Sequence, residues 1–288
     1  MPIARVNGFD MYYEVTGSGK PILFIHEFAS DSRSWEPQVR HFSRRYQCIT
    51  YNARGYPPSG VVEDPSNYSL EIAVEDARCL LSALNIRTVA AVGLSMGSFT
   101  ALRLALLHPD LVSSVLVAGC GYGSLPDSRD AFQKDCLALA EKFESLGSAA
   151  VAEFYCKGAS RVGFREKDER GWAELREHVA ALSPKGAALT LRGIQAKRPS
   201  LFEWEQELKA MRVPLLVLTG DFDDWTIEPS WYLKRIVPTA GLCVLPRTGH
   251  TVNLEEPALF NQHLQNFLWL AEAEKWGPRA SIPFKDFY

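Results

Sequence analysis

Three short stretches carry side chains that together could cleave an acyl bond: Gly93-Leu94-Ser95-Met96-Gly97, Gly220-Asp221-Phe222-Asp223-Asp224 and Gly249-His250-Thr251. A serine hydroxyl is a poor nucleophile until a base takes its proton. Histidine titrates near neutrality, and a carboxylate on its other ring nitrogen fixes the tautomer and steadies the imidazolium. Ser95 is the expected nucleophile and His250 the expected base. Asp221, Asp223 and Asp224 are neighbours, and one of them can face the histidine.

These residues need a scaffold that presents them on one edge. Before Ser95 runs the apolar stretch Val89-Ala90-Ala91-Val92, a buried strand. After it, residues 98–108 carry Phe99, Leu102, Leu104, Ala105 and Leu106 and stop at Pro109, a helix. A strand reversing directly into a helix crowds its neighbours, which accounts for Gly93 and Gly97. Strain at Ser95 would lift its hydroxyl clear of the sheet, and the Met96 N–H would point where an oxyanion forms. The acidic stretch follows the apolar run 213–219, and His250 follows the run 242–245. In a parallel sheet these strand ends share one edge, along which ligands bind.

The remaining chain fits that scaffold. Asn7-Gly8 between Ala4-Arg5-Val6 and Met11-Tyr12-Tyr13 signals a hairpin. Strands are expected at 21–25, 47–51 and 114–119, and helices at 35–46, 69–84 and 257–273. Strand alternating with helix predicts a mostly parallel, doubly wound α/β sheet. From 121 to 207 the alternation stops, with helices expected at 129–145, 148–156, 169–182 and 185–196. This block reads as a helical insertion between two late strands, so the division is 1–120 plus 208–288 for the core and 121–207 for the insertion. The tail from 274 reads as irregular, with Ile282, Phe284, Phe287 and Tyr288 available to dock on a surface.

Totals set further limits. The 288 residues are 47% hydrophobic and 23% charged, ordinary for a soluble globular protein, and 31 basic against 34 acidic residues leave a net charge of −3. That balance offers nothing to nucleic acid or an acidic membrane. No leader or membrane span is apparent, and the six scattered cysteines (48, 79, 120, 136, 156 and 243) lack any CxxC pair. Free thiols in the cytoplasm are the expectation, with no structural zinc.

Taken jointly, Gly93-Leu94-Ser95-Met96-Gly97, Gly220-Asp221-Phe222-Asp223, Gly249-His250 and Arg54-Gly55-Tyr56 resemble the α/β-hydrolase fold family, of the capped serine esterase, lactonase and C–C hydrolase type. The resemblance covers roughly residues 3 to 273. It implies Ser95 as nucleophile, His250 as base and Asp223 as its partner, with Asp127 or Asp130 as substitutes in members that draw the acid from an earlier loop. The block at 121–207 becomes a cap, and the Phe28 N–H joins Met96 in the oxyanion hole. His26-Glu27-Phe28 departs from the family's His-Gly-X at this loop. A carboxylate aimed into the hole would oppose the oxyanion. Glu27 is therefore expected to point away and pair with a basic residue such as Arg54 or Arg33; the other reading has it touching substrate or a catalytic water. His26 braces the loop.

Serine at 95 excludes the dehalogenase and epoxide hydrolase chemistries that use aspartate there. The family then implies hydrolysis of a small, largely apolar or aromatic ester or lactone through an acyl-enzyme. Hydrolysis of a C–C bond in a dienol-diketone is the alternative, and a triad-retaining ligand receptor a more distant one. Neither metal nor organic cofactor is called for. The partners expected are a small-molecule substrate and, at most, a second copy of the chain. Trp225, Phe154, Trp172 and Glu27 are the candidate pocket residues. Arg161, Arg165, Arg192 and Arg198 could hold a substrate carboxylate, although such residues usually form a solvated face and nothing in the sequence selects one.

Overall fold

The computed structural model describes residues 2–279; the aromatic tail residues singled out above, Ile282, Phe284, Phe287 and Tyr288, lie outside them. Eight strands form one sheet in the order β1-β2-β4-β3-β5-β6-β7-β8. They are β1 (Ile3–Val6), β2 (Phe9–Thr16), β3 (Lys20–Ile25), β4 (Tyr46–Tyr51), β5 (Val89–Leu94), β6 (Val112–Ala118), β7 (Leu215–Gly220) and β8 (Ala240–Leu245). The β1–β2 hairpin and the β2–β4 pairing are antiparallel, and the other pairings are parallel.

The uninterrupted apolar runs of the central strands follow from burial on both faces. Leu23 and Ile25 of β3, Ala91 of β5, Val115 and Val117 of β6 and Val217 of β7 point into one apolar cluster. Their neighbours Ile22, Phe24, Val92, Leu116 and Leu218 point into the cluster on the opposite face. The first face is covered by α2 (Leu70–Ala83), α3 (Met96–Leu107) and α10 (Asp224–Ile236); the second by α1 (Glu36–Phe42) and α11 (Pro257–Glu272). Ser69 caps α2 by accepting from the Ile72 N–H. Helix α10 was not expected from the sequence: Pro229 sits inside it and removes one backbone donor, which hides the helical pattern.

Between the adjacent strands β6 and β7 the chain makes a helical excursion: α4 (Pro126–Leu146), α5 (Ser148–Tyr155), α6 (Val162–Lys167), α7 (Glu169–Ala180) and α8 (Pro184–Thr190), followed by α9 (Glu205–Ala210). A π-helical turn, Leu191–Gln195, continues α8. Phe132, Phe143, Phe164, Trp172 and Leu175 give this cap its own apolar cluster, which also takes in Phe28, Tyr56 and Met96 of the sheet's loops. All six cysteines are free; Cys48, Cys120, Cys136 and Cys156 are buried. No described helix is long and apolar enough to cross a membrane.

The Arg54-Gly55-Tyr56 stretch is structural. Arg54 donates to both oxygens of Asp76 (Nε to Oδ2 3.0 Å, Nη2 to Oδ1 2.7 Å), and Asn7 donates to the same carboxylate. Both partners are buried, so Arg54 ties the loop after β4 to α2 and to the hairpin.

Candidate active site

Strand β5 turns into α3 within one residue. Ser95 is that residue, at φ 52° and ψ −113°, a left-handed conformation that costs a side-chain-bearing residue about 1–3 kcal/mol. Its flanks leave no space: a Cβ on Gly93 would lie 2.2 Å from the Gly97 carbonyl oxygen, and one on Gly97 would lie 2.1 Å from that of Ile25. The turn is held by the Ser95 N–H donating to the Ala118 carbonyl (2.8 Å) and by the Ser98 hydroxyl donating to the Ser95 carbonyl.

The loops after β7 and β8 supply a carboxylate and an imidazole. His250 Nδ1 lies 2.6 Å from Asp223 Oδ2, and Thr226 Oγ1 donates to the same oxygen at 2.8 Å. Asp221 instead accepts from the Thr248 N–H at 3.2 Å, and Asp224 is exposed at the start of α10. Asp127 lies in the first turn of α4 and Asp130 further along that helix, and neither is bonded to His250. Gly119, at φ 52°, lies against the pair: a Cβ there would come within 3.2 Å of the imidazole. Glu255 Oε2 accepts from the Gly249 N–H at 2.8 Å and fixes the His250 loop.

Burial pushes the His250 pKa down, but the charge and hydrogen bond of Asp223, aided by Glu27, hold it above its usual value. Burial likewise raises Asp223, and His250 and Thr226 outweigh it, leaving the carboxyl below its usual range. The carboxylate is thus ionised at neutral pH, and Nδ1 carries the proton donated to it. That leaves Nε2 as the basic nitrogen.

Ser95, Asp223 and His250 line one cavity of about 360 Å³, with Phe28, Tyr122, Phe132, Leu139, Phe154, Tyr155, Arg161 and Trp225 among its walls. Phe154 and Trp225 line this cavity. Trp172 does not: it is 8% exposed within the cap, its indole N–H donating to the Cys156 carbonyl. Its place on the apolar stripe of α7 turns it into the cap's own core. Gln195 was not anticipated. It lines the cavity from the π-helical turn with its side-chain carbonyl unpartnered, and π turns inside helices recur at functional sites.

Glu27 is not among the residues lining the cavity, and its basic partner is neither Arg54 nor Arg33. It is 1% exposed and pairs with Arg161 of the cap, while Arg54 is committed to Asp76 and Arg33 to Asp31. Arg161 Nη2 donates to Oε2 at 2.8 Å and Nη1 to Oε1 at 3.3 Å. Oε2 also lies 3.9 Å from His250 Nε2. The two residues are 134 positions apart, which no local pattern reveals. Among the other arginines, Arg192 pairs with Glu144, Arg165 stacks on Trp172, and Arg198 is buried over Phe99 with Nη2 donating to the Tyr122 carbonyl. His26 braces its loop: Nε2 accepts from the Ala53 N–H at 3.0 Å, and Nδ1 lies 2.7 Å from the Glu27 carbonyl oxygen. Burial holds its pKa below the usual value.

A strained serine after a central parallel strand, with an imidazole and a carboxylate on the loops after the last two strands, defines the hydrolase class of α/β proteins. Residues 20–257 match the model of the alpha/beta hydrolase fold, and the chain belongs to that family. It is an α/β-hydrolase enzyme with esterase- and lactonase-type relatives. The chain is similar to a Mycobacterium tuberculosis protein named "Putative non-heme bromoperoxidase BpoC", at 34% identity over 90% of this chain and 97% of that one. It is similar to 3-oxoadipate enol-lactonase 1 of Acinetobacter baylyi, at 27% identity over 86% and 88%. The enol-lactonase structure from Burkholderia xenovorans superposes with a TM-score of 0.81 at 24% identity, covering 93% of this chain and 100% of that one, a likeness of fold.

Proposed function

We propose that the protein is a serine hydrolase that cleaves a small ester or lactone through an acyl-enzyme. Ser95 attacks the carbonyl carbon, and His250 Nε2 takes the hydroxyl proton. The developing oxyanion is held by the Met96 and Phe28 N–H groups. His250 then protonates the leaving alkoxide, and water activated by the same nitrogen releases the acid. Asp223 stays ionised throughout and steadies the imidazolium. The observation that carries this reading is the 2.6 Å His250–Asp223 contact in the same cavity as the strained Ser95.

The mainly apolar, aromatic lining favours an acyl or alcohol group of that character, and a cavity of about 360 Å³ suits a small one. No free cation faces it among the described residues, since Arg161 is committed to Glu27. The lactonase name of the Acinetobacter baylyi relative is consistent with this bond type. Hydrolysis of p-nitrophenyl acetate and butyrate by wild type and Ser95→Ala, with mass spectrometry after treatment with a fluorophosphonate, tests the reading. Multiple turnover that needs Ser95, with label on Ser95, is expected. Label without turnover would move the reaction to another bond, and neither would overturn the assignment of Ser95.

A further inference from the structure

Glu27 occupies a position where a side chain is a hazard, because it borders the place where negative charge develops. Its carboxylate does not face solvent: it is turned onto the open nitrogen of His250, with Oε2 3.9 Å from Nε2, and is gripped there by Arg161 through both oxygens. Arg161 is itself 3% exposed, its Nη2 also 3.3 Å from the Tyr155 hydroxyl and its guanidinium over the Tyr155 ring. Arg161 immediately precedes α6. At the other end of α6, Lys167 reaches Glu255 at 3.0 Å and Glu256 at 2.6 Å, and Glu255 is the carboxylate that fixes the His250 loop. One short piece of the cap is thus fastened to both loops that serve the imidazole.

We propose that Arg161 and Glu27 are a positioning pair through which seating of the cap makes the base competent: the cap's guanidinium holds the Glu27 carboxylate against His250 Nε2 and balances its charge beside the oxyanion hole. The inference rests on the serine-hydrolase reading above. With the cap seated, Glu27 stabilises the imidazolium formed as Ser95 attacks, and Arg161 keeps the net charge near the oxyanion close to zero. With the cap displaced, Glu27 is a lone carboxylate beside a forming anion, which penalises attack. Hydrolysis is thereby tied to a closed cavity.

The charged groups facing His250 are Asp223 after β7, Glu27 after β3 and Arg161 from the cap. Glu27 acts on the imidazole in the direction that favours its charged form, and Arg161 acts against it. Their removal should therefore move His250 in opposite directions; recovery of the Ser95 rate in the double variant is what a merely structural latch would not give.

The test uses the full-length protein as wild type, Glu27→Gln, Arg161→Gln and the double variant. Two readouts are taken: the NMR titration midpoint of the His250 ring, assigned by its loss in His250→Ala, and the rate of Ser95 phosphonylation. The midpoint should fall by about 0.5 units in Glu27→Gln, rise in Arg161→Gln and return close to wild type in the double variant. Phosphonylation should slow about tenfold or more in Arg161→Gln and recover several-fold when Glu27→Gln is added. Midpoints that stay put or move the same way in both single variants would overturn the proposal. So would a double variant as slow as Arg161→Gln with a wild-type melting curve. If Arg161→Gln does not fold, an unmoved midpoint in Glu27→Gln would overturn the proposal by itself. A wild type that resists phosphonylation would sink the serine-hydrolase reading, while the NMR titration would still decide on the pair.

Discussion

Asp223 Oδ2 reaches His250 Nδ1 at 2.6 Å, whereas its neighbours on the same loop are spent elsewhere, Asp221 on the Thr248 N–H and Asp224 on solvent. The three carboxylates should separate cleanly on substitution. Asp223→Asn should lower kcat about 10⁴-fold, and Ser95→Ala and His250→Ala at least as much, with the melting curve retained. Asp224→Asn should leave kcat unchanged, and so should Asp221→Asn, whose amide oxygen can still accept from the Thr248 N–H. Steady-state kinetics on a p-nitrophenyl ester, with urea unfolding alongside, checks all five.

His250 must be neutral to take the Ser95 proton, and its pKa is held above the usual 6.5. The kcat/KM for ester hydrolysis should therefore be low in acid and rise with pH through a midpoint above 6.5. In a sensitive assay of Asp223→Asn, the residual activity should show a lower midpoint, because burial is then less opposed. A pH–rate profile from 5 to 9 reads both.

Trp225 and Trp172 should behave as opposites. Trp225 is 52% exposed at the cavity wall, so Trp225→Ala should raise KM for aromatic esters while hardly moving the melting temperature. Trp172→Ala should leave a cavity in the cap and cost about 3–5 kcal/mol, measured by urea unfolding.

Arg54→Met should strand the Asp76 carboxylate in the interior. The expected loss is about 3–5 kcal/mol in urea unfolding, with kcat per folded molecule unchanged. Replacing both partners with apolar residues of similar size should cost less than the single change.

The parts of this molecule that could be read in its sequence are those set by neighbours along the chain. Gly93 and Gly97 bracket Ser95 because the backbone crosses itself there, and the apolar runs of β3, β5, β6 and β7 are continuous because both faces are covered. The acid next to His250 needed the family resemblance, since three adjacent aspartates look alike until the loop is folded. The partner of Glu27 and the surroundings of Trp172 escape the sequence for one reason: both are made by distant segments. A buried arginine brought by the cap inverted the cost of burying Glu27, and the inward face of α7 claimed Trp172. Pro229 concealed α10 because local propensity opposes a helix that packing imposes.

The unpaired thiols make the molecule its own recorder of breathing. Burial pushes Cys48 up to about 12 and also raises Cys156, so alkylation of these two in the native state must wait for an opening. Cys156 lies in the apolar cluster of the cap, and Cys48 and Cys120 lie against opposite faces of the sheet. Modification at Cys156 that outruns Cys48 and Cys120 would time the lifting of the cap apart from global unfolding, with no residue added.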